Sequence, residues 1–472
     1  MGITNFHKYI KNKYGKAFKT EWLKSYDNVY VDINYALHFC SYGAKSEAEV
    51  LQRLLKFFEN IFAELVPTRS INVCSDGVAP LSKLILQRKR RLTMSRGLGK
   101  DLDENTFSSL MFTPGTKFMR ELRKNLENYF EFVEYSLCIK VNYLPDDIDE
   151  AELKLKYKVM KNIKKHPEDS HIIVTNDADV IVMLQTLENV ENTFIFCKNK
   201  HQNEILSIGK LLDLHTDEVG MTKNAGLDFS LISIMMGNDY LPKVNFISFE
   251  TAWRAYTRVA RLHSAGLVID RNLSLNPVFF KKFMYELLRQ MKPQYAKKLN
   301  KYSAFKPLYD NYFDGLMWCL DTYTSGKCTR YNYMYGYTES PHPFGLIIHA
   351  SKNPELLSVN RDKFPPIDIT LYSILVLPKS AKVLINKKYH DFMEETTILY
   401  DEENCKTCQE FYKKIKDINT QMEDAESEND EDIKTESKKI SKMMSLHKKQ
   451  HDDLDLNDIE DIIIKFNDLK KT

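Results

Sequence analysis

The sequence has no long apolar segment, no excess of either charge and few cysteines. No hydrophobic run approaches the roughly 18 residues that a membrane-spanning helix needs. Its 67 basic and 65 acidic residues give a net charge of +2, so any surface for nucleic acid has to be local. The eight cysteines show no regular spacing, as expected for reduced thiols. These absences predict a soluble, intracellular protein with no membrane partner.

The sequence contains one C-x-x-C pair, Cys405 and Cys408. A structural zinc site generally needs four ligands, and no second pair accompanies this one. We therefore interpret the pair as incidental.

The chain is long enough for more than one domain. Its 472 residues are 43% hydrophobic and 12% aromatic, which supplies a sizeable core and excludes a wholly disordered protein. We expect a core domain at 1–265, a helical, aromatic-rich region at 266–400, and a charged, partly disordered tail at 401–472. The tail prediction rests on the acidic run 423–432 and on alternating acidic and apolar residues at 453–464.

Short strand patterns alternate with helical patterns in the first part of the chain. Strands are predicted at 27–33, 71–76, 137–144 and 171–177, and helices at 48–65, 117–133 and 151–163. This alternation predicts an α/β fold with a mostly parallel central sheet flanked by helices, followed by the helical second region. In such folds, ligands bind at the carboxyl ends of the strands.

Acidic residues follow the predicted strands. Each alone would usually be a helix N-cap or strand-end acid, but several meeting at one sheet edge would repel one another unless cations balanced them. Oxygen ligands without histidine or cysteine favour Mg²⁺ or Mn²⁺, and a pair of such ions about 4 Å apart is the arrangement that hydrolyses phosphodiesters. The seven acids are Asp32, Asp76, Glu150, Glu152, Asp177, Asp179 and Asp239.

A basic helix is predicted just after Asp76. Only 15 of the 67 basic residues are arginine, yet four of them fall within 88–96, where forked donors would suit a phosphate. A helix beginning past Pro80 brings four side chains to one face, which could form a pocket for a terminal phosphate. A solvated basic helix and a nuclear-localisation patch are the alternatives. The four residues are Lys83, Gln87, Arg90 and Arg91.

Taken in order, these segments resemble the XRN family of 5′→3′ exoribonucleases, within the PIN-like and flap-endonuclease superfamily. The similar segments are MGITNFHKYIKNKYG, VYVDINYALHFC, SDGVAPLSKLILQRKRR, FTPGTKFM, DEAELK, TNDADVIVML, GNDYLP, YFDGLMWCL and LVLPKSAKVL. The likeness extends over about residues 1–390. A compact, lysine-rich chain with a replaced tail would suit a short viral or parasite member.

The resemblance implies roles for individual residues. The seven acids would bind two metal ions, Mg²⁺ with Mn²⁺ as a substitute, and the four residues of the basic helix would bind the 5′-phosphate. His38 would stack on the first base, and Trp318 matches an aromatic position of the second conserved region. From the residues alone, both are at least as well explained as packed helix side chains.

The sequence departs from the family pattern in three places. Asp149, Ala151 and Leu153 stand where the family has two glycines and a histidine. Tyr331 and Tyr333 replace a tryptophan-rich segment and offer weaker stacking faces. The C-terminal part of the family's core is replaced by the acidic tail, so processivity is harder to predict than chemistry.

The sequence therefore predicts a metal-dependent 5′→3′ exoribonuclease. Its substrate would be single-stranded RNA with a 5′-monophosphate, degraded to mononucleotides, and its location would be the cytoplasm (of the host, if viral) rather than the nucleus. A decapping or accessory protein could bind the tail. The alternatives are a structure-specific 5′ flap-type DNA nuclease and an inactive RNA-binding scaffold.

Overall fold

A computed structural model describes most of the chain. The described residues are 6–18, 22–98, 102, 107–197, 203–220, 224–263, 265–269, 273–291, 305–353, 357–424, 431–448 and 454–471. The predicted acidic run 423–432 lies mostly outside them. The chain forms two compact units: unit 1 comprises Met1–Ala44, Ala48–Lys83 and Arg123–Pro366, and unit 2 comprises Lys45–Glu47, Leu84–Leu122 and Ile367–Thr472. The domain boundaries near 265 and 400 remain a prediction.

Unit 1 contains a six-stranded sheet. The strands are β1 Tyr26–Asp32, β2 Pro67–Cys74, β3 Lys140–Leu144, β4 His171–Val174, β5 Thr193–Cys197 and β6 Glu204–Ser207. Their order is β3-β2-β1-β4-β5-β6, and only the β5–β6 pairing is antiparallel. The mostly parallel sheet flanked by helices is confirmed, whereas β5 and β6 were not predicted.

The helices follow the predicted pattern where apolar periodicity is strong. The predicted helices 48–65, 117–133 and 151–163 are observed as α3, α5 and α6. The helices are α1 Phe6–Lys13, α2 Ile33–Ser41, α3 Glu47–Leu65, α4 Leu81–Leu98, α5 Lys117–Leu137, α6 Ala151–Lys165, α7 Ala178–Leu184, α8 Ile208–Val219, α9 Ala225–Met235, α10 Phe249–Ala260, α11 Pro277–Gln290, α12 Lys306–Ser325, α13 Pro343–Lys352, α14 Ile369–Val376, α15 His390–Glu395, α16 Asp401–Asn404, α17 Lys406–Asp424, α18 Glu431–Lys448 and α19 Leu456–Leu469. Short 3₁₀ helices are Gly15–Phe18, Ser109–Phe112, Lys379–Leu384, Lys387–Tyr389 and Thr397–Tyr400.

The sheet and the helices of unit 1 share one apolar core. Strands β1 and β4 are buried on both faces, and helix α6 packs against β1 and β2. A carboxylate, Asp228 of α9, lies inside the core and is 0% exposed. It accepts hydrogen bonds from the Tyr256 hydroxyl (2.7 Å) and from the backbone amides of Leu267 and Val268 (both 2.8 Å). Burial raises the pKa of Asp228 to about 7, although these donors oppose the shift.

Unit 2 contains most of α4 and the C-terminal helices. The guanidinium of Arg88 is buried, donates to the Leu375 carbonyl (2.8 Å) and lies over the Tyr400 ring at 5.6 Å. These contacts make Arg88 a packing residue, unlike its neighbours on the exposed side of α4.

The described residues of the tail are helical, which the sequence analysis did not predict. In α19 an apolar stripe is formed by Ile459, Ile462 and Phe466, whose spacing puts them on one helix face. Phe466 packs against Tyr389 at 5.3 Å and Phe392 at 5.5 Å between ring centroids. The alternation of acids with apolar residues therefore marks an amphipathic helix, because the apolar residues have partners within unit 2.

The structure bears on two features, membrane-spanning helices and disulfide bonds. Across the described residues, no helix combines the length and apolar character needed to cross a bilayer. All eight cysteines are described, and none is in a disulfide.

Candidate active site

Acidic residues lie at the carboxyl ends of three adjacent strands. Asp32 is the last residue of β1 and pairs in register with Cys74 of β2, two residues before Asp76. On the other side of β1, Val31 pairs with Val174, the last residue of β4, and Asp177 follows three residues later. The strand order changes direction between β1 and β4, and such a switch point forms a crevice at the carboxyl edge of a parallel sheet.

Local hydrogen bonds fix these carboxylates. Asp32 is the N-cap of α2, accepting from the Tyr35 amide (3.1 Å), and it also accepts from the Thr175 hydroxyl (3.2 Å). Asp177 caps α7 by accepting from the Asp179 amide (2.8 Å). Both acids therefore act as helix caps as well as candidate ligands.

A loop after β3 brings two glutamates to the same edge. The Ala151 amide donates to a carboxylate oxygen of Asp76 (2.9 Å), which ties the start of α6 to the end of β2. Glu150 and Glu152 flank this amide, and they are 1% and 7% exposed. The spacing of two residues at the start of a helix thus places both carboxylates beside Asp76.

Lys83 lies inside this group of acids. Its ammonium contacts Glu150 and lies 3.2 Å from Asp239 and 3.5 Å from Glu152. Burial lowers the pKa of Lys83, but the charges of the three carboxylates outweigh burial and raise it well above its usual value. The side chain predicted to hold a terminal phosphate is therefore also the counter-ion of three of the predicted metal ligands.

Two further acids have raised pKa values. Burial raises the pKa of Asp32 to about 7, and the charges of Asp76 and Asp177 act in the same direction. Burial likewise raises the pKa of Asp179 to about 7, with the charges of Asp177 and Asp239 adding to it. These mutual charges, the ion pairs of Lys83 and the hydrogen bond from the Ala151 amide to Asp76 place the predicted acids at one edge of the sheet.

Two buried tyrosines support the site and were not predicted. The Tyr240 hydroxyl donates to Glu150, and the Tyr323 hydroxyl donates to Asp179 at 3.2 Å. The amide nitrogen of Asn238 contacts the Tyr323 hydroxyl at 3.1 Å. The position of Tyr240 directly after Asp239 is a local signal that could have identified it, whereas Tyr323 comes from the distant helix α12.

The composition of this acid cluster fits hard divalent cations. Its ligand atoms are carboxylate oxygens, which Mg²⁺ and Mn²⁺ prefer. The seven acids outnumber the one ammonium of Lys83, which pairs with three of them, and bound cations would offset the excess negative charge. The residues that could hold such ions are Asp32, Asp76, Glu150, Glu152, Asp177, Asp179 and Asp239.

Comparison with known proteins identifies the N-terminal part of the chain. Residues 1–199 match the family model described as XRN 5′-3′ exonuclease N-terminus. The resemblance to the XRN family is confirmed over this part of the chain. Curated relatives include 5′-3′ exoribonuclease 1 of Saccharomyces cerevisiae, 27% identical over 297 residues (52% of this chain and 19% of the relative). The human 5′-3′ exoribonuclease 1 is 22% identical over 348 residues (61% and 20%). The XRN relatives are thus much longer than the part that this chain matches.

Solved structures with a partial likeness are nucleases. The catalytic core of Rad2 in complex with DNA substrate covers 74% of this chain and 97% of that chain, with 13% identity and a TM-score of 0.37. The T5 D15 protein co-crystallized with metal ions covers 63% and 97%, with 12% identity and a TM-score of 0.29.

The predicted phosphate-binding residues of the XRN-type chain lie on one helix. Helix α4 is continuous from Leu81 to Leu98, so Lys83, Gln87, Arg90 and Arg91 keep the spacing that places them on one face. Gln87 accepts a hydrogen bond from the Tyr372 hydroxyl (2.9 Å), and it is half-buried, as are both arginines. The pocket itself remains a prediction.

The two predicted stacking residues of this XRN-type chain differ in exposure. His38 lies on α2 and is exposed, so its ring is accessible to a base. Trp318 is 2% exposed and packs against Tyr333 (4.8 Å) and Tyr240 (5.4 Å between ring centroids). The proposed stacking role of Trp318 is therefore wrong for this structure. Its ring instead supports the tyrosine that hydrogen-bonds Glu150.

The departures from the XRN pattern have structural counterparts. Asp149, in place of a glycine, has a φ of 59°, which is the left-handed region that favours glycine. Its carboxylate accepts hydrogen bonds from the Tyr331 hydroxyl and from the Cys328 amide (3.3 Å). Tyr331 and Tyr333 are 5% and 4% exposed, so they hold the loop and the core rather than offering stacking faces.

Proposed function

We propose that this protein is a metal-dependent 5′→3′ exoribonuclease that degrades 5′-monophosphorylated, single-stranded RNA to mononucleotides. The observation that carries the proposal is the set of carboxylates at the edge of the sheet, three of them paired with Lys83, in a chain whose first 199 residues match the XRN exonuclease family. The curated relatives named as 5′-3′ exoribonucleases support the polarity and the choice of RNA.

The carboxylates would hold two Mg²⁺ ions, for which Mn²⁺ could substitute. Bound there, such ions would activate water for attack at phosphorus and stabilise the leaving oxygen. The chain's own contribution is positioning: Tyr240 and Tyr323 fix the orientation of Glu150 and Asp179, and the Ala151 amide fixes Asp76. Lys83 provides a positive charge that can approach the phosphodiester from within the acid cluster.

The 5′ end would be bound by the basic face of α4. Lys83, Gln87, Arg90 and Arg91 offer amide and cationic donors at helical spacing, and forked guanidinium groups suit a terminal phosphate. His38, exposed on α2, would stack on the first base. A cytoplasmic location and a protein partner bound by the tail remain predictions from the sequence.

One assay tests the proposed reaction directly. The purified chain is incubated in Mg²⁺ with 3′-labelled RNAs that differ only in the 5′ end, which carries a monophosphate, a hydroxyl or a cap. We expect the monophosphorylated RNA to disappear with release of mononucleotides, the other two to persist, and EDTA to stop the reaction. A DNA flap of the same sequence should be a poor substrate.

Each alternative activity gives a different result in this assay. Preferential cleavage of the flap would replace the proposal by a structure-specific DNA nuclease. RNA that is bound but never shortened, by protein that remains folded, would indicate an inactive scaffold. Degradation unaffected by EDTA would contradict the use of the acid cluster as a metal site.

A further inference from the structure

The thiols of the single C-x-x-C pair lie beside a histidine in unit 2. Potential ligand atoms of Cys405, Cys408 and His447 are all within 4.8 Å of one another, and Sγ of Cys405 is 3.3 Å from Nε2 of His447. Cys408 is buried, whereas Cys405 and His447 are half-buried. The interpretation of the pair as incidental overlooked this histidine because it lies 39 positions after Cys408 (447 − 408 = 39).

Secondary structure brings the three residues together. Cys405 follows α16 directly, and Cys408 lies in the first turn of α17. His447 lies in the last turn of α18, which packs against α17. The beginning of one helix thus meets the end of the other, so the three side chains lie at the open end of a helical hairpin.

The chemistry of these side chains differs from that of the acid cluster. Two sulfur atoms and an imidazole nitrogen are the ligands that zinc and related divalent transition metals prefer over Mg²⁺. Both ligand types thus favour a borderline-soft cation.

We propose that Cys405, Cys408 and His447 bind one zinc ion, or a similar divalent transition metal, which fastens the α17–α18 hairpin. A tetrahedral ion would have one further position, filled by water or another side chain. The sequence has another histidine, His451, four positions after His447, but it lies outside the described residues and the proposed site does not depend on it.

Metal binding would stabilise the hairpin in a specific way. The ion would connect positions 408 and 447, which closes a long loop and restricts the unfolded chain more than the folded one. Binding is therefore expected to raise the unfolding temperature of the full chain without any requirement for RNA or for the acid cluster.

The first experiment measures the metal content of the full-length protein. Protein purified under reducing conditions and dialysed against a weak chelator is analysed by mass spectrometry for zinc. We expect about one zinc per chain, lost in Cys408→Ser and His447→Ala. The matched controls Cys138→Ser, which changes an exposed thiol in unit 1, and Asp76→Ala should both retain it.

The second experiment identifies the ligands spectroscopically. Co²⁺ added to metal-free protein should produce a thiolate-to-cobalt charge-transfer band, which carboxylate sites cannot give. This band should weaken but persist in Cys405→His, because the replacement is still a ligand, and it should vanish in Cys408→Ser. Circular dichroism of each variant establishes that it is folded, so that loss of the band reports loss of a ligand.

Two results would overturn the proposal. Folded protein with no bound zinc and no charge-transfer band would show that the cluster does not bind a metal. A disulfide between Cys405 and Cys408, found by mass spectrometry in protein prepared without an oxidant, would instead make the pair a redox couple. Both results are independent of exoribonuclease activity.

Discussion

The acid cluster and the site of Asp228 both contain buried carboxylates, but they neutralise them differently. Asp228 has fixed donors, namely one tyrosine hydroxyl and two backbone amides. Asp32 and Asp179 have other carboxylates as close neighbours. Burial raises the pKa to about 7 in all three, so a raised pKa alone does not mark a functional group. The kind of neighbour distinguishes the two sites, because Asp228 is next to hydrogen-bond donors whereas Asp32 and Asp179 are next to like charges.

The largest effect is expected when the acid cluster loses one carboxylate. Asp76→Ala and Asp177→Ala should each abolish RNA degradation, because each removes a proposed metal ligand. Initial rates on 5′-monophosphorylated RNA provide the measurement. Near-normal rates in both folded variants would refute the assignment of the acids as metal ligands.

A similar comparison applies to the arginines of α4. Arg88 donates to a backbone carbonyl inside unit 2, whereas Arg90 and Arg91 are proposed to bind the 5′-phosphate. Replacing both Arg90 and Arg91 by alanine should reduce the preference for 5′-phosphate over 5′-hydroxyl RNA by roughly tenfold to hundredfold, the value of one to two charged hydrogen bonds. The ratio of kcat/KM for the two RNAs measures it.

The matched control is Lys89→Ala, which changes an exposed residue of the same helix. It should leave this ratio unchanged. An unaltered ratio in the double arginine variant, with catalysis intact, would remove the phosphate pocket from the proposal.

Loss of the carboxylate at Asp228 should affect stability and not chemistry. Asp228→Ala leaves the amides of Leu267 and Val268 without their acceptor, at about 1–3 kcal/mol of unfolding free energy each. Denaturant unfolding measures the loss. Well below the unfolding temperature, the rate per folded molecule should equal that of the wild type, and a selective loss of rate would mean that Asp228 belongs to the functional site.

The smallest effect concerns two buried lysines. Lys83 has three carboxylate neighbours, whereas Lys156 donates to the Thr324 carbonyl (3.3 Å) and burial lowers its pKa from 10.5 to about 7. Between pH 7 and pH 10.5 the Lys156 amine is protonated in the unfolded chain but largely neutral in the folded chain. The contribution of Lys156 to the free energy of unfolding therefore rises from pH 7 toward pH 10.

Lys156→Met should remove this pH dependence and raise the unfolding temperature near neutral pH by a few degrees. Thermal unfolding at several pH values provides the measurement, and the difference between variant and wild type should shrink as the pH rises. A constant difference would mean that Lys156 does not titrate on unfolding.

The sequence predicts the sheet centre and its acids well, because both depend on local patterns. Strands β1, β2 and β4 contain apolar runs, and parallel strands bring their carboxyl ends to one edge by topology alone. Strands β5 and β6 were missed; β6 lies at the edge of the sheet and is antiparallel to β5. The same local reasoning recovered the continuous helix α4.

Features that depend on distant partners could not be predicted. The stacking role assigned to Trp318 was wrong because the sequence does not reveal that Tyr333 and Tyr240 cover its ring. Tyr323 and His447 were missed for the same reason, since each meets its partners across long stretches of chain. The helix at the end of the tail was missed because Phe466 packs against Tyr389 and Phe392, which are distant in the sequence.

The left-handed backbone of Asp149 has a consequence for variation in this protein. A tyrosine hydroxyl far along the chain holds an otherwise unfavourable conformation directly before Glu150. Positions 149 and 331 should therefore change together during evolution. With glycine at position 149, the backbone would no longer need the hydrogen bond from Tyr331. Loss of the Tyr331 hydroxyl alone would instead misalign Glu150 and Glu152, although Tyr331 donates its hydrogen bond to Asp149 and to neither glutamate.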